Sequence, residues 1–251
     1  MLATIWRLLV ALSIVAVFGI AASAASAVEA PFYKVGGKRL GAKETKEVAL
    51  EAEGNQVLIN ATSKITVTCA KVAAEKFVLI GSAAGEPGTG EGKLVYSGCT
   101  VSGNGEGCQV SEGEKGGFGW ITNALKSIWT YGKKIIEVGV KILSWVEALK
   151  TVWAVIKFIG SHCTFLETSV EGTLSLEMLN SKKEVVAVKE HELEEEFGFI
   201  RMSTNEACFV AKSAFTECRK PSLKAFGTAA TLGGTAKVKL VSKEKFGVFS
   251  A

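Results

Sequence analysis

The sequence predicts a mainly β protein, either an antiparallel β-sandwich or a partly closed barrel. Two observations lead to this prediction. Short runs of alternating apolar and polar residues recur along the chain, as is typical of half-buried strands. Glycine-containing turns separate these runs, and long amphipathic helices are scarce. A length of 251 residues suits one large all-β domain, with a short helical insert possible around residues 133–149.

The N-terminal residues have the three parts of a secretory signal peptide. A short basic segment ends at Arg7, an apolar run covers Leu8–Ile20, and small residues continue to Ala27. This pattern predicts a signal peptide at residues 1–27, a secreted protein and a single mature domain over 28–251. A retained membrane anchor is the alternative, although the apolar run is short for a span of about 20 residues.

The first predicted strand pair covers Phe32–Leu40. Its two runs lie on either side of Gly36-Gly37, the glycine chemistry that a two-residue hairpin turn requires. Two further runs flank Gly54-Asn55, and Lys64–Cys69 alternates apolar and polar residues. Phe77–Ile80 reads as a short strand before a glycine-rich loop.

A second hairpin is predicted at Tyr96–Val110. Cys99 and Cys108 bracket a Gly/Asn turn between residues of strand type. This arrangement favours a β-hairpin closed by a disulfide.

Residues 118–160 contain four tryptophans, and two periodicities compete there. Val152–Ile159 is rich in β-branched and aromatic residues and favours a strand, whereas Lys133–Leu149 favours a short helix or an irregular insert. Aromatic side chains interleaved with lysines suggest that one face packs on the domain and the other is available to a partner. The candidate contact surface consists of Trp129, Trp145 and Trp153.

Two segments in the second half of the chain resemble each other. Glu171–Lys183 and Gly233–Lys245 both contain Gly-Thr, an alternating strand and a Ser-Lys turn before a second strand. Similar hairpins within one all-β domain predict equivalent positions in two packed sheets or around a barrel.

Six cysteines in an exported chain indicate three disulfides. Short sequence separation favours Cys99 with Cys108 and Cys208 with Cys218, which leaves Cys69 to pair with Cys163. Because this scheme uses every thiol, it predicts neither a catalytic cysteine nor a zinc site at His162-Cys163.

Composition excludes several functional classes. The chain contains no Asp, a residue that calcium loops and Ser-His-Asp triads need. Its net charge is only +4, and the lysines are dispersed rather than clustered, so a nucleic-acid groove is not expected. The sequence also predicts no cofactor and no bound metal.

Short motifs along the chain resemble a group of secreted bacterial β-proteins of unknown function. The resemblance rests on Phe32–Gly37, Gly98–Thr100, Gly160–Thr164 and Lys245–Phe249. It implies a small extracellular β-protein with no assigned activity. The tryptophan-rich stretch and the Cys208/Cys218 pair depart from that group.

The sequence therefore predicts a secreted, non-enzymatic binding or structural domain with an unknown ligand. One alternative is a secreted hydrolase that uses glutamate carboxylates, although no glutamate pair stands out. A second alternative is a protein that contacts a membrane surface, the cell envelope or another protein through residues 118–160.

Overall fold

The computed structural model describes residues 29–111, 119–132, 141–185, 194–211 and 214–249. The predicted signal peptide lies outside these residues. Regular structure in the described part is entirely β, which confirms the predicted fold class. The strands are β1 (Phe32–Val35), β2 (Lys38–Arg39), β3 (Thr45–Asn60), β4 (Ile65–Ile80), β5 (Thr89–Gly103), β6 (Gln109–Val110), β7 (Gly119–Ile121), β8 (Leu125–Gly132), β9 (Ile142–Ile159), β10 (Glu167–Leu179), β11 (Phe197–Ser203), β12 (Ala207–Ala211), β13 (Ala214–Arg219), β14 (Ser222–Ala225), β15 (Thr228–Leu240) and β16 (Phe246–Phe249).

Strands close into a hydrogen-bonded ring at one end of the molecule. The order around this lower ring is β8-β5-β4-β3-β15-β11-β10-β9, and β9 pairs with β8 again, so the sheet closes on itself. All these pairings are antiparallel. Closure removes the exposed strand edges that an open sheet would present to other chains.

The other halves of the long strands form an upper ring. Here β3, β4, β5, β9, β10 and β15 continue, β7 replaces β8 beside β5, and β14 replaces β11 between β10 and β15. Between β7 and β9 the wall is completed by β6 and by the hydrogen bond from Gly119 N to Ser111 O. The two rings therefore share most of their wall.

Bulges mark the junction between the rings. Gly54 has a φ of +84°, and the runs on either side of it belong to the one strand β3 rather than to two strands. In β10 and β15 the register shifts occur at Gly172 (φ +104°) and Gly234 (φ +138°). Only glycine adopts such backbone conformations at little cost.

The two similar segments occupy equivalent positions in the wall. Gly172 and Gly234 are matching residues of the repeat, and both β10 and β15 flank β11 and β14. The strand predicted after the second copy exists as β16, but β16 pairs with β1 and not with β15.

The prediction of a helical insert is wrong where the structure describes it. Ile142–Leu149 is the first half of β9 and pairs with β8 on one side and β10 on the other. Residues 133–140 lie outside the described residues. The helical spacing of apolar residues arises because both faces of this half of β9 are buried, and a strand buried on both faces loses strict alternation.

The disulfides are Cys69–Cys99, Cys108–Cys163 and Cys208–Cys218. The last pairing is confirmed, whereas the predicted Cys99–Cys108 and Cys69–Cys163 pairs are wrong. Cys99 lies in β5 directly opposite Cys69 in β4. The predicted hairpin at Tyr96–Val110 does not form either, because β6 pairs with the end of β9 and so brings Cys108 to Cys163.

A small outer layer covers part of the lower ring. Strands β12 and β13 form the hairpin that Cys208–Cys218 cross-links, and β12 pairs with the end of β8. Phe209 of this hairpin contacts Trp145, with ring centroids 5.5 Å apart. Trp145 and Leu143 therefore become buried on the outside of the ring wall.

Candidate functional site

The lower ring encloses a cavity of about 80 Å³. Eight-stranded barrels have interiors just wide enough to be filled by side chains or to hold one small ligand. The cavity is lined by side chains that are almost all apolar, and none of them is charged. They are Tyr33, Val48, Leu50, Phe77, Leu79, Leu94, Leu125, Ser127, Trp129, Ser144, Val146, Leu176, Ile200 and Val238.

Small residues on the inner face of the wall leave this space. Ser127 in β8 and Ser144 in β9 are buried and lie at positions where larger apolar residues would fill the ring. Gly90 in β5 faces Ser127, and a Cβ atom there would lie 2.6 Å from the serine Oγ. The cavity is thus a consequence of side-chain size and not of a break in the wall.

Tyr33 projects into the cavity from the end sheet formed by β16, β1 and β2. Its ring is 1% exposed and meets Trp129 edge to face, with centroids 5.9 Å apart. Gly88 allows the close approach, since a Cβ atom there would lie 2.8 Å from the tyrosine ring. Burial raises the pKa of the Tyr33 hydroxyl, so this group is neutral at ordinary pH.

Polar contacts fasten the end sheet over the ring. The Gly36-Gly37 turn joins β1 to β2 as predicted, and Gly37 N donates to the Glu194 carboxylate at 2.8 and 2.9 Å. Arg39 pairs with Glu29 at 2.6 Å, and the Tyr131 hydroxyl donates to the carbonyl oxygen of Glu29. The Gly37–Glu194 and Arg39–Glu29 contacts are at or near the surface, where each contributes little free energy. The end sheet therefore closes the cavity with contacts that are weak individually.

Glu177 is the only charged residue that is buried in the described part of the chain. It lies on the outside of the lower ring, where its carboxylate accepts hydrogen bonds from Arg201 (2.7 Å), Asn205 (2.9 Å), Ser203 (3.3 Å) and Lys141 (3.4 Å). Burial raises the pKa of Glu177, but the Arg201 hydrogen bond and the Lys141 charge outweigh burial and hold this pKa below its usual range. A carboxylate so occupied stabilises the fold and is poorly placed to act as an acid or a nucleophile.

The three tryptophans of the predicted contact surface are buried, and that prediction is wrong for their side chains. The exposed fractions are 8% for Trp129, 2% for Trp145 and 1% for Trp153. Trp129 faces the cavity and Trp145 lies under the β12–β13 hairpin. The third ring, Trp153, donates from Nε1 to Gly172 O at 2.6 Å. The segment expected to offer an exposed face consists of paired wall strands, β8 and β9, and each of the three rings packs against other parts of the protein.

Exposed apolar residues of the same region do exist, at the middle of β9 and in its second half. Leu149, Val155 and Ile159 are 51%, 43% and 47% exposed. A partner contact through residues 118–160 stays a prediction, but the side chains of Trp129, Trp145 and Trp153 are buried and do not contribute to it.

Sequence reasoning missed Tyr33, Ser127 and Ser144 as site residues. The available signal was a serine at an inward position of two apolar strands: Leu125, Ser127 and Trp129 share one face of β8, and Ser144 and Val146 share one face of β9. Such a serine in an apolar row indicates either a hydrogen bond or a space.

In the residues that the structure describes, no group of three or more His, Cys, Asp or Glu residues is arranged to hold a metal ion. The same residues include no helix long and apolar enough to cross a membrane. No protein-family model matches the sequence, and comparisons with curated proteins and with solved structures find no match either.

Proposed function

We propose that the protein is a secreted, non-enzymatic binding domain that takes a small apolar molecule into the lower ring. The observation that carries this proposal is the apolar cavity of about 80 Å³ inside a hydrogen-bonded ring of strands. Ligand sites are concave, mostly apolar and provided with a few polar groups. The cavity is small but has the same character, since its lining is apolar except for the polar groups of Tyr33, Ser127, Trp129 and Ser144.

The size of the cavity limits the ligand. An engineered apolar cavity of roughly 150 Å³ stays dry and binds benzene or xenon. A cavity of about 80 Å³ is suited to a molecule smaller than benzene. Since the lining contains no charged side chain, an ionised ligand would lose its hydration without compensation.

Secretion is part of the proposal and has two supports. Three disulfides and no free cysteine among the described residues are typical of an oxidising compartment. The N-terminal pattern over residues 1–27 is that of a signal peptide. The resemblance to secreted bacterial β-proteins agrees with this compartment.

Xenon binding tests whether the cavity accepts an apolar guest. We expect a saturable change in the ¹²⁹Xe chemical shift with the purified protein. Ser144→Val, which fills the cavity, should abolish this change. Val155→Thr serves as the matched control, because Val155 lies on the same strand and faces solvent. Equal xenon binding by the wild-type protein and Ser144→Val would overturn the proposed site.

A further inference from the structure

The wall has an opening at the junction between the two rings, where β11 ends and β14 begins. Strand β15 pairs with β14 through residues 228–230 and with β11 through residues 235–239. Residues 231–234 lie between these two ladders, and the described part of the chain provides no strand partner for them on that side. At about 3.3 Å per residue, the unpartnered stretch is about 13 Å long.

A pocket of about 280 Å³ occupies this opening. Drug-sized ligands bind in pockets of roughly 300–1,000 Å³, so this wall pocket suits a somewhat smaller molecule. Its largest apolar lining residues, Leu174, Met202, Leu223 and Leu232, belong to the hydrophobic core or pack against it. All lining residues are uncharged, so an ionised ligand would lose its hydration without compensation.

The turn between β14 and β15 determines which backbone groups point into the opening. Its two residues, Phe226 and Gly227, have φ values of +53° and +74°, as in a type I′ hairpin. The residues that flank such a turn exchange two hydrogen bonds, and hydrogen-bonded pairs then alternate along the ladder. Thr228 and Ala230 therefore bond to β14. No register shift interrupts β15 before Leu232, which accordingly directs its N–H and C=O into the opening.

A secondary amide can supply what a neighbouring strand would supply here. Its N–H can donate to the C=O of Leu232, and its carbonyl oxygen can accept from the N–H of Leu232. Residues directly opposite each other on antiparallel strands place their side chains on the same face. Leu232 is 6% exposed and belongs to the core, so an apolar group opposite it would meet the apolar part of the pocket. One capped apolar amino acid combines these features.

We propose that the wall pocket binds a small uncharged secondary amide with a branched apolar group, and that this ligand hydrogen-bonds to the backbone of Leu232 as a strand residue would. The two ladders that end at residues 230 and 235 limit the ligand to about one amino acid residue with its two peptide groups. The wall pocket and the cavity of the lower ring share no lining residue. The inference therefore goes beyond the proposed function and does not depend on it.

Two ligands of the same shape test the backbone hydrogen bonds. N-Acetyl-leucine N-methylamide carries the required N–H, whereas its ester analogue has an oxygen atom in place of the acetylated nitrogen. Dissociation constants are measured by NMR titration of the purified ¹⁵N-labelled protein. Ala230→Leu places a larger side chain in the pocket. Ala229→Leu is the matched control, because Ala229 is the preceding residue of β15, is exposed and does not line the pocket.

We expect the amide to bind the wild-type protein with a dissociation constant of about 1 mM, the scale of two hydrogen bonds and one buried side chain. The ester should bind about tenfold more weakly, because the C=O of Leu232 is then left without a donor. The ester is the less hydrated ligand, so its weaker binding would not arise from hydration. Ala230→Leu should weaken the binding of the amide at least about tenfold, and Ala229→Leu should leave it unchanged.

The backbone amide resonance of Leu232 provides a second measurement in the wild-type protein. It should move downfield with either ligand, since both retain the carbonyl oxygen that accepts from it, while the resonance of Leu240 at the other end of β15 stays in place. This measurement and the ligand pair decide the matter even if Ala230→Leu fails to fold.

Three results would overturn the proposal. They are the absence of saturable binding, equal or tighter binding of the ester, and resonance changes that do not include residues 231–234. Unchanged affinity in a folded Ala230→Leu variant would also reject the site. None of these results affects xenon binding in the lower ring, so a failure of this inference is distinguishable from a failure of the proposed function.

Discussion

The two rings use the same long strands, but the side chains that their inward positions carry on β9 differ in size. On β9, Ser144 and Val146 face the lower ring, whereas Ile156 and Phe158 are buried in the upper ring at 0% and 3% exposure. The upper ring also contains the stacked Tyr96–Trp120 pair. The hydrogen-bonded wall therefore does not decide whether a ring holds a cavity; the size of the inward side chains decides it.

The rings also differ in how they are held together. Cys69–Cys99 and Cys108–Cys163 both cross-link residues of the upper ring. The β12–β13 hairpin packs on the outside of the lower ring. On the same outer side, Arg201 and Asn205 donate hydrogen bonds to the Glu177 carboxylate. The upper ring is cross-linked by disulfides and the lower ring relies on noncovalent support. We therefore expect local stability to be higher in the upper ring.

The largest effect is expected from removing an upper-ring disulfide. Cys108 and Cys163 are 55 residues apart in sequence, so replacing both with Ala should lower the free energy of unfolding by about 4 kcal/mol. Replacing both Cys208 and Cys218, only 10 residues apart, should cost about 2.5 kcal/mol on the same basis. Urea denaturation measures both losses. Equal losses would show that loop length does not determine how much each disulfide stabilises the protein.

A matched pair of valines compares the packing of the two rings. Val170 is 1% exposed in the upper ring, and Val146 lines the cavity. Val170→Ala should lower the free energy of unfolding by about 2.5 kcal/mol, and Val146→Ala by about 1.5 kcal/mol, because a side chain beside an existing space loses fewer contacts. A larger loss for Val146→Ala, measured by denaturant unfolding, would contradict the difference in packing.

The Glu177 cluster should make the lower ring sensitive to acid. Glu177→Gln should lower the free energy of unfolding by about 2 kcal/mol at neutral pH, since hydrogen bonds to a charged group are lost. The folded-state pKa of Glu177 is lowered. Its stabilisation is therefore complete above the ordinary glutamate pKa of about 4.3 and is lost as the pH falls through the lowered value.

The difference between wild type and Glu177→Gln should accordingly shrink in acid. Thermal unfolding followed from about pH 2 to about pH 7, in steps of about one pH unit, measures this. Glu171→Gln is the control on the same strand, where the side chain is only partly buried. A difference that stays constant down to the lowest pH would reject the role assigned to the Glu177 carboxylate.

The smallest effect is expected from adding carbon atoms to each ring. Ser144→Val should raise the free energy of unfolding by about 1 kcal/mol, because it fills the cavity with apolar groups. Ala154→Val should lower it by about 1 kcal/mol, because Ala154 is 1% exposed within the apolar core and two more methyl groups would overpack its surroundings. Thermal unfolding measures both. A loss of stability in both variants would mean that the cavity cannot accept even small groups.

The features predicted correctly from the sequence depend on residues that are close along the chain. Gly36-Gly37 supplies the turn between β1 and β2, and Cys208 forms a disulfide with Cys218 across a short hairpin. The β class follows from alternation within single strands. In each case the interacting groups are neighbours in the chain, so the residue pattern alone determines the result.

The cavity, the tryptophan environments and two of the disulfides were decided by tertiary structure. Cys99 is near Cys108 in sequence, but strand register places it opposite Cys69. In the sequence alone, Ser144 is an ordinary polar residue. The pairing of β9 with both β8 and β10 closes the ring and places Ser144 beside the cavity. A strand's sequence specifies which side chains share a face, whereas only the pairing of distant strands specifies what each face meets.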